Sequence, residues 1–234
     1  MIIYGRNPVR EALRGRRTVK RMWATKNAAR EPWLAAGAVP VATASAEEIE
    51  RLCGSDAHQG ICAEVSAFVY ADADALLRSG ERSLIVALDQ VTDPQNLGAV
   101  CRSAECAGAS GIVLPERRSA AVTASVCKAS AGAVEHLPVA IVRNLADWLT
   151  KAKAAGLWCY GADADSAVDY RGVDWSGGVV LALGSEGRGL RPRVASSCDA
   201  LVSLPVRGRI ESLSVSAAAA VLLYAASAQQ IAPS

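Results

Sequence analysis

Three stretches of the chain concentrate residue types that can do chemistry. The first runs Leu88-Asp89-Gln90-Val91-Thr92-Asp93-Pro94-Gln95-Asn96-Leu97-Gly98-Ala99-Val100-Cys101-Arg102-Ser103. It turns at Asp93-Pro94 and opens a helix near Asn96, so Arg102 follows almost two helical turns later on the same broad face. An arginine there offers phosphate a planar fork of donors; the plainer alternative makes Asn96 an N-cap and Arg102 a surface ion-pair partner. The second stretch, Val179-Val180-Leu181-Ala182-Leu183-Gly184-Ser185-Glu186-Gly187-Arg188-Gly189-Leu190, carries an apolar strand into three glycines within six residues. Such a loop lets backbone approach a flat ligand closely, although a ligand-free turn has the same composition. The third, Leu204-Pro205-Val206-Arg207-Gly208-Arg209-Ile210-Glu211-Ser212-Leu213-Ser214-Val215-Ser216, places three alternating hydroxyls where a helix begins. There they can cap backbone amides or hold a substrate group.

Elements with regular order must position these stretches. From residue 83 onward strands are predicted at Leu84 to Leu88, Ile112 to Leu114, Leu137 to Val142, Leu157 to Gly161, Val179 to Leu183 and Leu201 to Leu204. Their apolar runs are continuous, as for parallel strands covered on both faces. Helices are predicted at Leu97 to Ala107, Val122 to Ala131, Leu145 to Ala155 and Ser212 to Ala226. The alternation specifies an α/β body with an open, mostly parallel sheet, and ligands of such sheets bind at the carboxyl ends of strands. The last helix is apolar nearly all round, which demands burial in the core or against a second subunit.

Residues 1–70 read as a separate, small α/β domain, and 71–82 as a linker before the 83–234 body. In the small domain Asn7-Pro8 is expected to start a helix that reaches Leu13, Val19 to Ala24 to form a strand, and Ser45-Ala46-Glu47-Glu48 to form a capping box. The turn His58-Gln59-Gly60 leads into a closing strand over Gly60 to Val65. The net charge of +2 hides an uneven distribution. Residues 1–30 hold nine cations and one acid, Glu11, for a local charge of +8, which leaves −6 on the remainder. A basic end on an acidic body suits one lobe that meets a polyanion, while a solvated helix face is the simpler alternative. Arg6, Arg10, Arg14, Arg16, Arg17 and Arg21 are the candidate polyanion contacts.

Seven cysteines without a C-x-x-C pair read as reduced core thiols. Two histidines far apart, His58 and His136, argue against a histidine-based zinc site, and no metal is expected. No signal core or membrane-length apolar run is present, so a soluble, cytoplasmic protein is expected. The glycine spacing G-x-x-G-x-G, late in the chain, is not the dinucleotide fingerprint, which disfavours an oxidoreductase.

Taken together, DPQNLGAVCRS, GSEGRGL and PVRGRIESLSVS resemble the three ordered motifs of the SpoU (TrmH) family of RNA ribose methyltransferases. The N-terminal YGRNPVREAL and HQGICAEV are similar to the substrate-binding domain of its rRNA-modifying branch. Two positions depart from the family pattern: Ser214 stands for the usual Asn and Val206 for Met. The resemblance implies a SPOUT fold with a C-terminal trefoil knot, S-adenosylmethionine as cofactor, a homodimer and a structured RNA substrate. It implies a cofactor pocket formed by Gly161, Leu183, Gly184, Glu186, Gly187, Leu204, Pro205, Val206, Ser212 and Leu213. It makes Arg102 the catalytic arginine, with Asn96 and Ser212 orienting groups and Glu186 fixing Arg102 or Asn96. The extra N-terminal domain favours a guanosine of large-subunit (23S) rRNA. A tRNA ribose, the antibiotic-resistance rRNA methyltransferases, and an RNA-binding ribosome factor that has lost catalysis are the alternatives.

Overall fold

The computed structural model describes all residues except 36–38, 79, 81, 211 and 232–234. The small domain comprises β1 (Ile2–Tyr4), α1 (Arg6–Arg14), β2 (Val19–Ala24), α2 (Pro32–Ala35), β3 (Val41–Thr43), α3 (Ala46–Cys53) and β4 (Ile61–Val65). Its sheet has the order β1-β4-β2-β3, antiparallel except for β2 against β3. The Ser45 capping box forms as predicted: Glu48 N donates to Ser45 Oγ at 3.2 Å and Ser45 N to Glu48 Oε2 at 2.8 Å. The predicted turn is present too, with Gln59 and Gly60 both at positive φ and Gly60 N donating to His58 Nδ1 at 2.9 Å. The expected start of the first helix at Asn7 is corrected. Gly5, at φ 96, turns the chain straight out of β1, and α1 begins at Arg6 without a side-chain cap.

The segment predicted as a linker is held in place where it is described. Ala71 bridges Ala140 of the body, and its N–H donates to Val139 O at 2.8 Å. Asp72 caps the short α4 (Ala73–Leu76), whose Ala73 carbonyl accepts from Trp148 Nε1 at 3.2 Å. A backbone whose polar groups are paired this way does not behave as a free tether.

The body then alternates β5 (Leu84–Leu88), α5 (Pro94–Cys106), β6 (Gly111–Pro115), α6 (Ala124–Ala129), β7 (Val139–Val142), α7 (Leu145–Ala154), β8 (Trp158–Ala162), β9 (Val179–Leu183), α8 (Pro192–Ala195), β10 (Ala200–Val202) and α9 (Val215–Ile231). All neighbours in the order β10-β8-β9-β5-β6-β7 pair in parallel. Alternation along each central strand divides the core. Leu84, Val86, Leu88, Leu181 and Leu183 face α5, α6 and α9, whereas Ile85, Ala87, Val180 and Ala182 face α7 and α8. Gly98 lets α5 approach α6, since a Cβ there would lie 2.4 Å from that of Ala129. The predicted strands over 84–88 and 179–183 coincide with β5 and β9. The strand expected from Leu137 starts only at Val139, and that expected over 201–204 is Ala200–Val202.

The final helix also differs from expectation. It starts at Val215 rather than Ser212 and extends to Ile231. The reason lies in Ser214, whose Oγ accepts from Ala217 N at 3.2 Å while its carbonyl accepts from Ala218 N at 3.0 Å. Ser214 is thus the capping residue, a position for which serine and asparagine are nearly equivalent. All seven cysteines are free thiols. Burial pushes Cys62, Cys159 and Cys198 up to about 12 and raises Cys101 and Cys127 as well, which leaves these thiols inert at neutral pH.

The two domains meet over a buried charged contact. Arg17 is bonded through both Nε (2.8 Å to Glu135 Oε2) and Nη2 to the Glu135 carboxylate, and both residues are buried. Burial opposes charge on Arg17, but the Glu135 carboxylate together with Cys127 more than offsets this, and the pKa of Arg17 is raised. His136 Nε2 also lies 2.9 Å from Glu11 Oε2.

Candidate active site

The carboxyl ends of β8, β9 and β10 surround a cavity of about 530 Å³, a size ordinary for a small-molecule site. The segment after β9 forms its wall. Ser185 N donates to Gly189 O at 3.2 Å and Gly189 N to Ser185 O at 2.9 Å, so the loop closes on itself, with Gly187 and Gly189 at positive φ. Gly184 is required by proximity: a Cβ there would stand 2.0 Å from Gly189 C. Opposite this loop lie Leu204, Val206, Ser212 and Leu213, followed by Val215 and Ala218 at the start of α9. The structure therefore brings the second and third predicted segments together around one space.

Of the predicted cofactor residues, Leu183, Gly184, Glu186, Gly187, Leu204, Val206, Ser212 and Leu213 line this cavity. Gly161 and Pro205 are not among the lining residues. Gly161 is packed on its side-chain face by Leu190, Leu201 and Cys198, and Pro205 is exposed between the lining residues Leu204 and Val206. Sequence reasoning missed the stretch Ala162 to Asp165 after β8, which supplies two carboxylates to the rim. The rule that ligands gather at strand ends was the signal that could have found it.

The first segment enters from the side. Asp93 caps α5 through Gln95 N at 3.0 Å and Asn96 N at 3.2 Å, so Asn96 is not the cap and its amide is free for other work. Asn96 Nδ2 donates to Glu186 Oε1 at 3.1 Å, and Ser216 Oγ donates to Asn96 Oδ1 at 3.2 Å. Ser214 Oγ lies 3.1 Å from Ser216 Oγ. One amide thus joins three segments separated by up to 120 residues, and its orientation is set at both ends. Between the two partners open to Glu186, the geometry selects Asn96. Ser216 is the joining residue that the sequence offered only as one of three equivalent hydroxyls.

Arg102 stands on α5 beyond this network. It is exposed and, among the described residues, has no ion-pair or hydrogen-bond partner. Six residues of helix put it about 9 Å further along the axis than Asn96. An exposed guanidinium with unused donors is free to take a phosphate.

The predicted RNA-contacting arginines divide into distinct environments. Arg16 is exposed and unpaired among the described residues. Arg6, Arg14 and Arg21 are exposed but paired with Glu31, Glu11 and Glu64, and Arg21 also lies over the Trp23 ring at 5.3 Å. Arg10 is half-buried, its Nε enclosed. Arg17 is corrected: with its guanidinium buried against Glu135, it cannot meet RNA. Among the described residues no group of three or more His, Cys, Asp or Glu side chains is arranged for a metal, and no helix is long and apolar enough to cross a membrane.

Comparison with known proteins agrees with this geometry. The family model of the SpoU rRNA methylases matches residues 83–224, and that of RNA 2'-O ribose methyltransferase substrate binding matches residues 2–71. YacO of Bacillus subtilis, named for the TrmH family of tRNA/rRNA methyltransferases, is 36% identical over 95% of this chain and 93% of its own. The SpoU methyltransferase AviRb from Streptomyces viridochromogenes, solved with the cofactor AdoMet, superimposes with a TM-score of 0.83 at 26% identity, covering 100% of this chain and 91% of that one. An AdoMet-bound rRNA methyltransferase from Sinorhizobium meliloti gives 0.80 at 28% identity over 99% and 88%. With a full-length relative and a family model that takes in more than half of its residues, the chain belongs to the SpoU rRNA methylase family.

Proposed function

We propose that this chain methylates a ribose 2'-oxygen of large-subunit (23S) rRNA, with guanosine as the acceptor nucleoside. The coarser assignment, an S-adenosylmethionine-dependent tRNA/rRNA methyltransferase, follows from the family. The observation that carries the ribose 2'-oxygen reading is the Asn96 amide, which joins all three motif segments through Glu186 on the cavity wall. The S. meliloti rRNA enzyme, which spans 99% of this chain including the small domain, supports rRNA as the substrate. An RNA substrate and reduced cysteines both suit the cytoplasm.

The residues present fit S-adenosylmethionine. The cavity has main-chain groups on one wall, where Gly184 excludes any side chain, and apolar Leu204, Leu213 and Val215 on the other. When bound there, the cofactor supplies an electrophilic methyl group on a sulfonium sulfur. The protein's part is to bring a ribose hydroxyl in line and to ease loss of its proton. Guanidinium groups hold their protons near neutrality, so Arg102 acts by gripping the phosphate next to the acceptor ribose and stabilising the developing alkoxide. The proton leaves to that phosphate or to water. Asn96 directs its second N–H toward the acceptor, Glu186 and Ser216 hold it there, and Ser212 orients a group at the cavity mouth. A factor without catalysis is disfavoured, because its one sequence support, Ser214, preserves the helix cap.

Two supramolecular features belong to the same reading. β10 lies at one edge of the sheet, whereas α9, which follows it, packs on α5 near the middle. This crossing from the sheet edge to its middle supports the C-terminal trefoil knot that the family resemblance implies. On α9, Val221 and Tyr224 stay exposed on an otherwise apolar helix and offer a second copy its contact surface.

Incubation with methyl-labelled S-adenosylmethionine and transcribed rRNA, followed by mapping of 2'-O-methyl sites, tests this function. Label on a guanosine ribose of 23S rRNA is expected. Label on a base, or none on any structured RNA, would overturn it, and label on tRNA alone would move the substrate. Gly184→Ala is expected to weaken cofactor binding roughly five- to hundredfold by forcing the loop apart, as overpacking costs about 1–3 kcal/mol; calorimetric titration measures it.

A further inference from the structure

A second depression, of about 210 Å³, opens at the carboxyl ends of β6 and β7 and is lined by Arg117, Arg143, Arg191 and Arg193 together with Pro115 and Asn144. No acid lines it. Arg191 is pinned from behind, its Nε 2.8 Å and its Nη2 2.7 Å from Oδ1 of the fully buried Asp89. Arg193 is held by Asp147 at 2.7 Å. Arg117 and Arg143 are exposed and, among the described residues, have no partner. Asn144 caps the ten-residue α7 at this spot through Ala146 N at 3.0 Å, so the positive end of a helix adds to the two cations that no carboxylate compensates. Cations crowded together with two forks unsatisfied call for an anion.

We infer that this depression is an RNA-backbone site, holding a phosphate of the substrate strand beyond the acceptor nucleotide. The inference rests on the RNA methyltransferase reading above. Its first support is continuity. Leu190 lines the large cavity and Arg191, the next residue, lines the small one, so both flank one loop at the carboxyl end of the sheet. Its second is chemistry. The lining offers guanidinium forks but no aromatic ring to stack a base and no glycine loop to enclose a nucleotide, which suits phosphate contacts that position a strand without reading it.

Arg117→Gln combined with Arg143→Gln tests the site, because both side chains are exposed and unpaired and their loss leaves the fold intact. Anisotropy titrations with a labelled RNA hairpin, across a potassium chloride series, should show about tenfold weaker binding than the parent. The salt slope should be smaller by about one to two, as each lost phosphate contact removes roughly 0.7–0.9 from it. S-adenosylmethionine binding should stay unchanged. If the parent binds and methylates RNA but the double variant matches its affinity and slope, this inference falls while the function stands. If the parent neither binds nor methylates RNA, both fall. Should inorganic phosphate or ATP bind the parent and not the variant, with RNA binding unaffected, a small phosphorylated ligand is the occupant and the RNA site is wrong.

Discussion

Arg102→Ala is expected to lower kcat about 10²–10³-fold, the range found when a preorganised donor to a developing oxyanion is removed, while cofactor affinity changes less than about twofold. The separation follows from position. Arg102 lies outside the cavity lining and has no protein partner to lose among the described residues, so its removal neither reshapes the pocket nor strands a buried charge. Single-turnover assays with labelled S-adenosylmethionine, paired with calorimetry, measure the two effects. Arg102→Lys separates mechanisms further. A lysine keeps the charge but lacks the planar fork, so it should recover no more than a tenth of the lost rate. Near-complete recovery with an unshifted pH profile would mean that bidentate phosphate positioning is not the function of this side chain.

The largest loss of stability is expected from Glu135→Ala. It leaves the Arg17 guanidinium enclosed without its counter-ion, and breaking one side of a buried pair costs about 3–5 kcal/mol. For a chain of this size that corresponds to a fall of roughly 10 °C in Tm, measurable by calorimetry. Arg17→Met together with Glu135→Leu should restore much of it, because an apolar pair of similar volume avoids desolvation altogether. A Tm within about 2 °C of the parent for Glu135→Ala alone would show that the domains are not held by this contact.

The comparison of these residues with the sequence explains what was legible in it. The strands at 84–88 and 179–183 could be placed to the residue because continuous apolar runs between polar breaks leave one register for a strand covered on both faces. The helix boundaries at Arg6 and Val215 shifted, since a glycine at positive φ and a serine cap act through backbone geometry that composition does not reveal. The motif residues themselves were identifiable. Their connections were not: whether Glu186 holds Asn96 or Arg102 depends on where two loops meet in space. Charge misled at Arg17 for a related reason. In the sequence it is one of nine cations in a basic run, and its partner lies 118 residues away.

That same partner fixes a length. Through Arg17 and Glu135, and through His136 and Glu11, the small domain is bolted to the turn after α6, and α6 lies against the helix that carries Arg102. A caliper with rigid jaws measures rather than reads. On the function proposed above, an RNA is expected to be chosen by the distance between the feature held by the small domain and the ribose offered at the cavity, so that a short oligonucleotide with the right base but no second point of contact fills only one jaw.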